Sequence, residues 1–215
     1  MISFYKVSKS YGAHTVLHEM DFTIHANEFV VLKGISGAGK STIINLLIGA
    51  ERPDSGVVEV DHMAVSDMSS STLQLYRRKV GVVYQDYRLL PQKTVFENVA
   101  FAMEVCEETP EEINDKVPEV LTKVGLLNFQ KKFPDQLSGG ERQRLTIARA
   151  LVHSPRLIIA DEPTGNLDEK NVREIIGLFK KLHSEGVTLL LTTHDPLVQE
   201  LAQGRGVTLA DGKIV

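Results

Sequence analysis

The sequence predicts an α/β fold built on a mostly parallel sheet, and three observations carry this prediction. Four short runs are nearly all apolar, as expected of strands buried on both faces, at residues 29–32, 80–84, 157–160 and 187–191. Segments with helical spacing of apolar residues separate these runs. Polar residues follow the runs, and ligands of open α/β sheets bind at the carboxyl ends of strands.

Composition is that of a globular protein. The 215 residues suit one domain, or one core with a sub-domain, and an apolar fraction of 42% is ordinary. The net charge of -4 gives no sign of a nucleic-acid partner. The lone cysteine, Cys106, fits a reducing compartment. No run approaches the ~18 apolar residues of a membrane span, and the N-terminus lacks the apolar region of a signal peptide. We therefore expect a cytosolic chain, which could still dock on a membrane protein.

An antiparallel β part is expected at the N-terminus. Residues 2–7 and 16–24 indicate two strands, and residues 57–60 a third after a turn at 53–56. Tyr11 stands between the first two strands, in a Ser-Tyr-Gly turn. Its ring could stack on a nucleotide base, but a packing role is equally consistent with the sequence.

Residues 34–42 contain the pattern G-x-x-x-x-G-K-S, between the apolar run 29–32 and an apolar helix at 43–48. This is the context in which the pattern binds phosphates. Backbone amides wrap the phosphates, Lys40 reaches the β- and γ-phosphates, and the Ser41 hydroxyl ligates magnesium. The chain is therefore expected to bind a nucleoside triphosphate. The other expected contacts in this loop are Gly34, Ser36, Gly37, Ala38, Gly39 and Thr42.

Gln85 follows a predicted short helix at 73–79 and the apolar run 80–84. Its side chain could touch a magnesium ion or the attacking water. It could also be a surface residue that opens a loop, which the sequence without further context favours. The run at 86–91 could receive a helix of a partner protein.

A helical insertion is expected at 87–155, where strand signals disappear. Helices are predicted at 95–105 and 111–124, and Pro118 either kinks the second helix or begins a new one. We expect one domain that consists of a core, residues 1–86 and 156–215, and a helical sub-domain, residues 87–155.

A further helix is predicted to begin at Ser138 and to end before Pro155. Ser138 and Glu141 have the spacing of a capping box. Gly139 and Gly140 leave the first turn bare, so an anion could approach its free N–H groups and the positive end of the helix dipole. Alternatively, Ser138 is only a cap.

Asp161 and Glu162 follow the apolar run 157–160. Adjacent carboxylates at a buried strand end need a counterpart, because unpaired buried charge is costly. A magnesium ion and a water awaiting deprotonation would supply it. Alternatively, Asp161 only begins a turn.

Two more polar residues stand at element boundaries near the C-terminus. Asp168 can cap a helix at 169–184, and Pro196 can open the last helix. Of seven histidines, only His194 lies at the carboxyl end of a predicted strand, so the other six receive no role.

Together these residues resemble the motifs of ATP-binding-cassette (ABC) ATPases, in the family's order and over essentially the whole chain. The motif at 137–141, LSGGE, is the most specific, because kinases and small GTPases lack it. The resemblance implies a P-loop NTPase core of the RecA-like type that binds ATP and Mg²⁺. The remaining motifs resemble the adenine-stacking aromatic (Tyr11), the Q-loop (Gln85), Walker B (Asp161, Glu162), the D-loop (166–168) and the switch histidine (His194).

In this family two cassettes pack head to tail around two ATP molecules, so the resemblance implies an ATP-dependent homodimer. Ser138 and Gly140 of one copy would contact the γ-phosphate held by Lys40 of the other. Glu162 would polarise the attacking water, and His194 would hold the γ-phosphate. Gln85 would couple the site to a membrane partner that the helical sub-domain binds. The remaining implied contacts are Gly139 and Asp168 with the nucleotide, and Ser41, Gln85 and Asp161 with Mg²⁺.

Residues 160–168 resemble the branch that includes lipoprotein-release, macrolide-export and cell-division ATPases, and residues 84–99 and 133–140 resemble its FtsE family. This implies an FtsX-like integral membrane partner, a role in bacterial cell division through control of peptidoglycan hydrolases, and a place on the cytoplasmic face of the membrane. The alternative is the ATPase subunit of a lipoprotein-release or macrolide-export transporter. A non-catalytic, nucleotide-gated scaffold and a soluble cassette acting on DNA or ribosomes are the other possibilities.

Overall fold

The computed structural model describes all 215 residues, Met1–Val215, and contains two β-sheets. The strands of the antiparallel sheet, in spatial order, are β2 (His14–Ile24), β1 (Ile2–Tyr11), β4 (Ser55–Val60) and β5 (Met63–Ala64). Those of the second sheet are β10 (Lys213–Ile214), β9 (Arg205–Ala210), β3 (Phe29–Lys33), β8 (Thr188–Thr193), β7 (Leu157–Asp161) and β6 (Val80–Val83). All neighbours in the second sheet are parallel except β9 and β10. The predicted α/β class and antiparallel N-terminal part are confirmed.

Seven α-helices connect or flank the strands. They are α1 (Lys40–Leu47), α2 (Ser70–Arg77), α3 (Val95–Glu104), α4 (Pro110–Lys123), α5 (Gly139–Leu151), α6 (Glu169–Ser184) and α7 (Pro196–Ala202). None of them combines the length and the apolar character that crossing a bilayer requires.

The parallel sheet separates two hydrophobic clusters, which explains why its strands are apolar throughout. In β8, Leu189 and Leu191 join a cluster of 30 buried residues with α3–α7. Leu190, between them, joins a cluster of 24 residues with α1 and the antiparallel sheet. Because successive side chains of a strand point to opposite faces, both faces of these strands are covered.

Residues between β6 and β7 form α3, α4 and α5 and no strand, as the sequence indicates. Of the two possibilities for Pro118, a new helix does not occur, because α4 continues through this residue. Capping boxes open all three helices, with Thr94, Thr109 and Ser138 as the capping residues.

Two local predictions are wrong in detail. Tyr11 ends β1 and does not lie in a turn, because β1 keeps pairing with β2 as far as the Tyr11–His14 pair. Helix α2 begins at Ser70, earlier than residue 73, because the Ser69 hydroxyl accepts a hydrogen bond from the Thr72 amide and caps it.

Candidate active site

The four strands β3, β8, β7 and β6 bring residues from distant parts of the chain to one edge of the sheet. They are consecutive neighbours and all parallel, so their carboxyl ends lie together. The phosphate loop follows β3, and Gln85 follows β6. Asp161 and Glu162 stand at the end of β7, and His194 directly after β8.

The phosphate loop has the backbone that its glycines permit. Gly39 precedes α1 with a φ of 104°, and a Cβ at this position would lie 2.6 Å from Val16 Cγ1. Only glycine combines this left-handed backbone with so close a neighbour. Lys40 is 6% exposed, and its Nζ donates hydrogen bonds to the carbonyl oxygens of Gly34 (2.8 Å) and Ile35 (3.1 Å). The lysine ammonium therefore lies at the mouth of the loop.

Glu162 connects this lysine to His194. Its carboxylate lies 3.5 Å from Lys40 Nζ through Oε1 and 3.0 Å from His194 Nδ1 through Oε2. The Glu162 backbone adopts a left-handed φ of 43°, which is unusual for a non-glycine residue. Its amide donates to the hydroxyl (3.1 Å) and the carbonyl (3.2 Å) of Thr192, and these bonds hold the carboxylate between its two partners.

Asp161 points to the first turn of α1. Its Oδ2 accepts a hydrogen bond from the Ser41 hydroxyl (3.2 Å), and its Oδ1 accepts one from Thr192 (2.7 Å). A hydroxyl and a carboxylate oxygen thus meet beside the phosphate loop. These are hard oxygen donors of the kind that Mg²⁺ takes from proteins when phosphates complete its coordination.

Gln85 is exposed and lies against the loop that follows Glu162. Its Nε2 is 3.0 Å from the point where a Cβ on Gly165 would be. The next residues have left-handed backbones at Tyr87 (φ 56°) and Arg88 (φ 47°). Arg149 of α5 donates to the carbonyls of Tyr87 (2.9 Å) and Arg88 (2.6 Å) and so ties this segment to the helix.

The start of α5 lies against residues 166–171 and not against the phosphate loop of its own chain. Ser138 and Glu141 form the predicted capping box, with 2.7 Å between the Ser138 amide and the Glu141 carboxylate. The nearest atoms to a Cβ on Gly139 would belong to Leu167, Tyr87 and Asn166. On Gly140 the Cβ would lie 1.9 Å from Asn171 Oδ1. The structure therefore does not bring these glycines to Lys40 within one chain.

Asp168 caps α6, as predicted, and fixes the residue that touches Gly140. It accepts hydrogen bonds from the amide (2.9 Å) and the side chain of Asn171. The bond from the Asn171 amide is the main reason that the pKa of Asp168 lies below its ordinary value.

Tyr11 is 46% exposed, and its hydroxyl lies 3.4 Å from that of Thr42 at the end of the phosphate loop. A cleft of about 770 Å³ opens on the same loop. Besides Gly34–Ala38 and His194, the walls of the cleft include His14, His18 and Asp211. We assigned these three residues no role in the site from the sequence, because only the fold brings them to the loop.

A second cleft, of about 500 Å³, lies between α2, β6, α5 and the end of α3. Arg77, Arg78 and Arg149 line it, together with Val105, which is 58% exposed, and Cys106. We refer to it as the basic cleft. It combines positive charge with exposed apolar surface, a pairing that is typical of binding surfaces for other proteins.

Comparison with known proteins agrees with this architecture. The sequence profile of the ABC transporter family matches residues 17–165. The cell division ATP-binding protein FtsE of Bacillus subtilis (strain 168) is 43% identical over 216 residues, which cover 100% of this chain and 95% of that protein. FtsE of Mycobacterium tuberculosis is 44% identical over 217 residues, covering 100% and 94%.

A solved dimeric structure of the ATP-binding cassette MJ0796, in a post-hydrolysis state bound to ADP and Pi, superposes with a TM-score of 0.89. It is 36% identical, and the match covers 100% of this chain and 96% of the other. The chain therefore belongs to the ABC transporter family, and within that family it resembles the FtsE proteins over its whole length.

Proposed function

We propose that this chain is the ATP-binding and ATP-hydrolysing subunit of a bacterial cell-division complex, in which it drives an FtsX-like integral membrane protein that regulates peptidoglycan hydrolysis. The observation that carries this proposal is the identity of 43–44% to FtsE proteins across the full chain. The edge of the parallel sheet supports the enzymatic part, because it holds the Glu162 carboxylate in contact with both a lysine and a histidine.

Glu162 is the general base in this proposal. Its carboxylate lies between two cationic or hydrogen-bonding groups and is only 17% exposed, so its position is defined before a water is presented to it. Lys40 neutralises the β- and γ-phosphates, and His194 holds the γ-phosphate and the attacking water. Gln85, beside Gly165, couples this nucleotide site to the membrane partner.

Ser41 and Asp161 would hold Mg²⁺, with Gln85 as a further oxygen ligand. The ion would neutralise charge that develops on the phosphates. The contact between the Ser41 hydroxyl and the Asp161 carboxylate supports this assignment. Thr192 occupies the other Asp161 oxygen, which fixes the orientation of the carboxylate.

ATP would join two copies of the chain. The capped start of α5 presents backbone amides without side chains at Gly139 and Gly140, and it lies against the 166–171 segment and not against its own phosphate loop. We infer that this helix start serves the nucleotide of the second copy, with Ser138 and Gly140 at the γ-phosphate. Asp168, which holds the Asn171 side chain beside Gly140, belongs to this interface.

The basic cleft is the proposed docking surface for the cytoplasmic part of the membrane partner. It borders α3 of the helical sub-domain (87–155), and Arg149 connects it to the segment after Gln85. An amphipathic, acidic helix would match its arginines and its exposed Val105. Such docking would place the chain on the cytoplasmic face of the membrane.

The test is a capture experiment with the Glu162→Gln variant. Tagged protein is locked with ATP in native membranes, solubilised gently, and its partners are identified. An FtsX-like protein with a large extracytoplasmic loop is the expected result, and Lys40→Ala is the control that should not lock. A permease of the lipoprotein or drug-export kind would replace division with transport. Recovery of no membrane protein would contradict the docking role of the helical sub-domain.

A further inference from the structure

The hydroxyl of Tyr11 lies in a polar cluster that the proposed reaction does not use. It donates a 2.6 Å hydrogen bond to Glu51 Oε2, from a ring that is 46% exposed. Tyr11 ends β1, whereas Glu51 follows α1, 40 residues later in the chain. This contact therefore joins two separate elements next to the phosphate loop.

Glu51 is itself held in place. Its Oε1 accepts a hydrogen bond from Asn45 Nδ2 (2.9 Å), and its backbone amide donates to the Asn45 carbonyl (3.2 Å). Lys9 Nζ lies 3.7 Å from Oε2 and donates to the carbonyl of Arg52 (2.8 Å). The side chain of Glu51 is 26% exposed. The acceptor for Tyr11 is thus fixed on α1 and on β1 independently of any ligand.

The protonation states of Tyr11 and Glu51 favour a hydrogen bond in which Tyr11 is the donor. The bond from Tyr11 is the main reason that the pKa of Glu51 lies below its ordinary value. Burial and the Glu51 carboxylate raise the pKa of Tyr11. At neutral pH the phenol is therefore the donor and the carboxylate is the acceptor.

An exposed tyrosine that only packs against a ligand has to lose rotamer freedom when the ligand binds, and this loss weakens binding. Here the hydroxyl end of the ring is anchored by Glu51, and the residue remains 46% exposed. We propose that Glu51 is a positioning residue of the nucleotide site, which orients the Tyr11 ring for stacking on the nucleotide base. This inference rests on the proposed ATP-binding function and on the stacking role that the family resemblance implies for Tyr11.

The experiment is a double-mutant cycle that compares ATP with inorganic tripolyphosphate, which occupies a phosphate loop without a base. Dissociation constants are measured by calorimetry for Glu51→Ala, Tyr11→Phe and the double variant. We expect each single change to weaken ATP binding by about 3- to 10-fold, the cost of ordering one side chain. The double variant should be no weaker than either single one, and tripolyphosphate binding should not change.

Two further variants separate a positioning role from a structural one. Glu51→Gln keeps an acceptor oxygen and should restore most of the affinity for ATP. Glu119→Ala removes a surface carboxylate that pairs with Lys116 on α4, and it should behave as the parent protein. Melting temperatures of all variants show whether a loss of affinity is a loss of folded protein.

The possible failures are distinguishable. If Glu51→Ala weakened the binding of ATP and of tripolyphosphate equally, the inference would be overturned. Glu51 would then support the phosphate loop through α1 and would not orient the ring for the base. Unchanged ATP binding in Glu51→Ala, with a loss of about 10-fold or more in Tyr11→Ala, would also overturn it and leave the stacking intact. Unchanged ATP binding in Tyr11→Ala would overturn the stacking role itself.

Discussion

The two halves of the proposed ATP site are built in different ways. In the phosphate half, Thr192 lies on the parallel strand β8 and is 0% exposed. Lys40, at the start of α1, is 6% exposed and donates hydrogen bonds to the carbonyls of the loop itself. The other half, which we call the signature half, is the helix start Ser138–Gly140. Its own capping box and residues 166–171 hold it in place. In the proposed site, the first half would bind a nucleotide within one chain, whereas the second would act on the nucleotide of another copy. Variants of the two halves should therefore separate binding from turnover.

The largest effect is expected at Glu162. Replacing it by Gln removes the general base, so hydrolysis should fall by about 10²–10⁴-fold, while ATP binding is retained. Phosphate release and calorimetry measure the two quantities. Turnover at the parental rate would contradict the role of Glu162. Light scattering should show that this variant dimerises with ATP-Mg²⁺ and not with ADP.

A change in the signature half should lower turnover and leave binding intact. In Gly140→Ala the new Cβ would lie 1.9 Å from Asn171 Oδ1, so the helix start or the Asn171 side chain must move. Misplacement on this scale can cost about 10²-fold in rate, with no change in ATP affinity for the isolated chain.

Two variants control this experiment. Adding Asn171→Ala removes the obstructing oxygen and should restore part of the rate. Gly177→Ala in α6, where a Cβ meets nothing within 4 Å, should behave as the parent protein. A Gly140→Ala variant that binds ATP poorly would show that the two halves are not separable.

A change in the phosphate half should lower affinity first. Lys40→Ala removes a buried ammonium that would make charge-assisted hydrogen bonds to the phosphates, so ATP binding should weaken by about 10- to 100-fold. Calorimetry measures the dissociation constant for ATP. Unchanged binding would contradict the assignment of the phosphate loop.

The smallest effect is a loss of stability in Ser138→Ala, which should accompany a loss of turnover because Ser138 is proposed to contact the γ-phosphate of the other copy. Ser138→Ala removes the cap of α5 and should cost about 1 kcal/mol, or about 2–4 °C in Tm for a chain of this size. The matched change Thr109→Ala, in the capping box of α4, should cost as much but leave hydrolysis unchanged. A loss of hydrolysis in Thr109→Ala would show that the turnover defect of Ser138→Ala reflects stability and not the signature.

The stability difference should also depend on pH. The hydrogen bond from the Ser138 side chain, followed by that from its amide, holds the pKa of Glu141 below its ordinary value. A lowered carboxyl pKa adds stability above the ordinary value, and this contribution is lost as the pH falls through the folded-state value. The difference between the parent and Ser138→Ala should therefore shrink below about pH 4.5, as denaturant titrations can show.

The sequence predicted the phosphate half better than its surroundings. Strand ends and the glycine pattern are local signals, and from them we predicted that Lys40, Asp161 and His194 lie at one edge of the sheet, where the structure places them. Gln85 was ambiguous, because its neighbour Gly165 lies 80 residues away in the chain. The contact between Glu51 and Tyr11 had no signal at all. Such contacts arise from the packing of distant elements, which a single sequence does not reveal.

The two hydrophobic clusters have a consequence for how the molecule opens. The strands β3, β7 and β8 contribute to both clusters, whereas α3 and α4 contribute only to the larger one and β1 and β2 only to the smaller. Amide hydrogens of the three shared strands should exchange with solvent only on global unfolding, because opening either side alone leaves them covered. The proposed catalytic groups would thus be attached to the slowest-exchanging backbone, while each flank could open by itself.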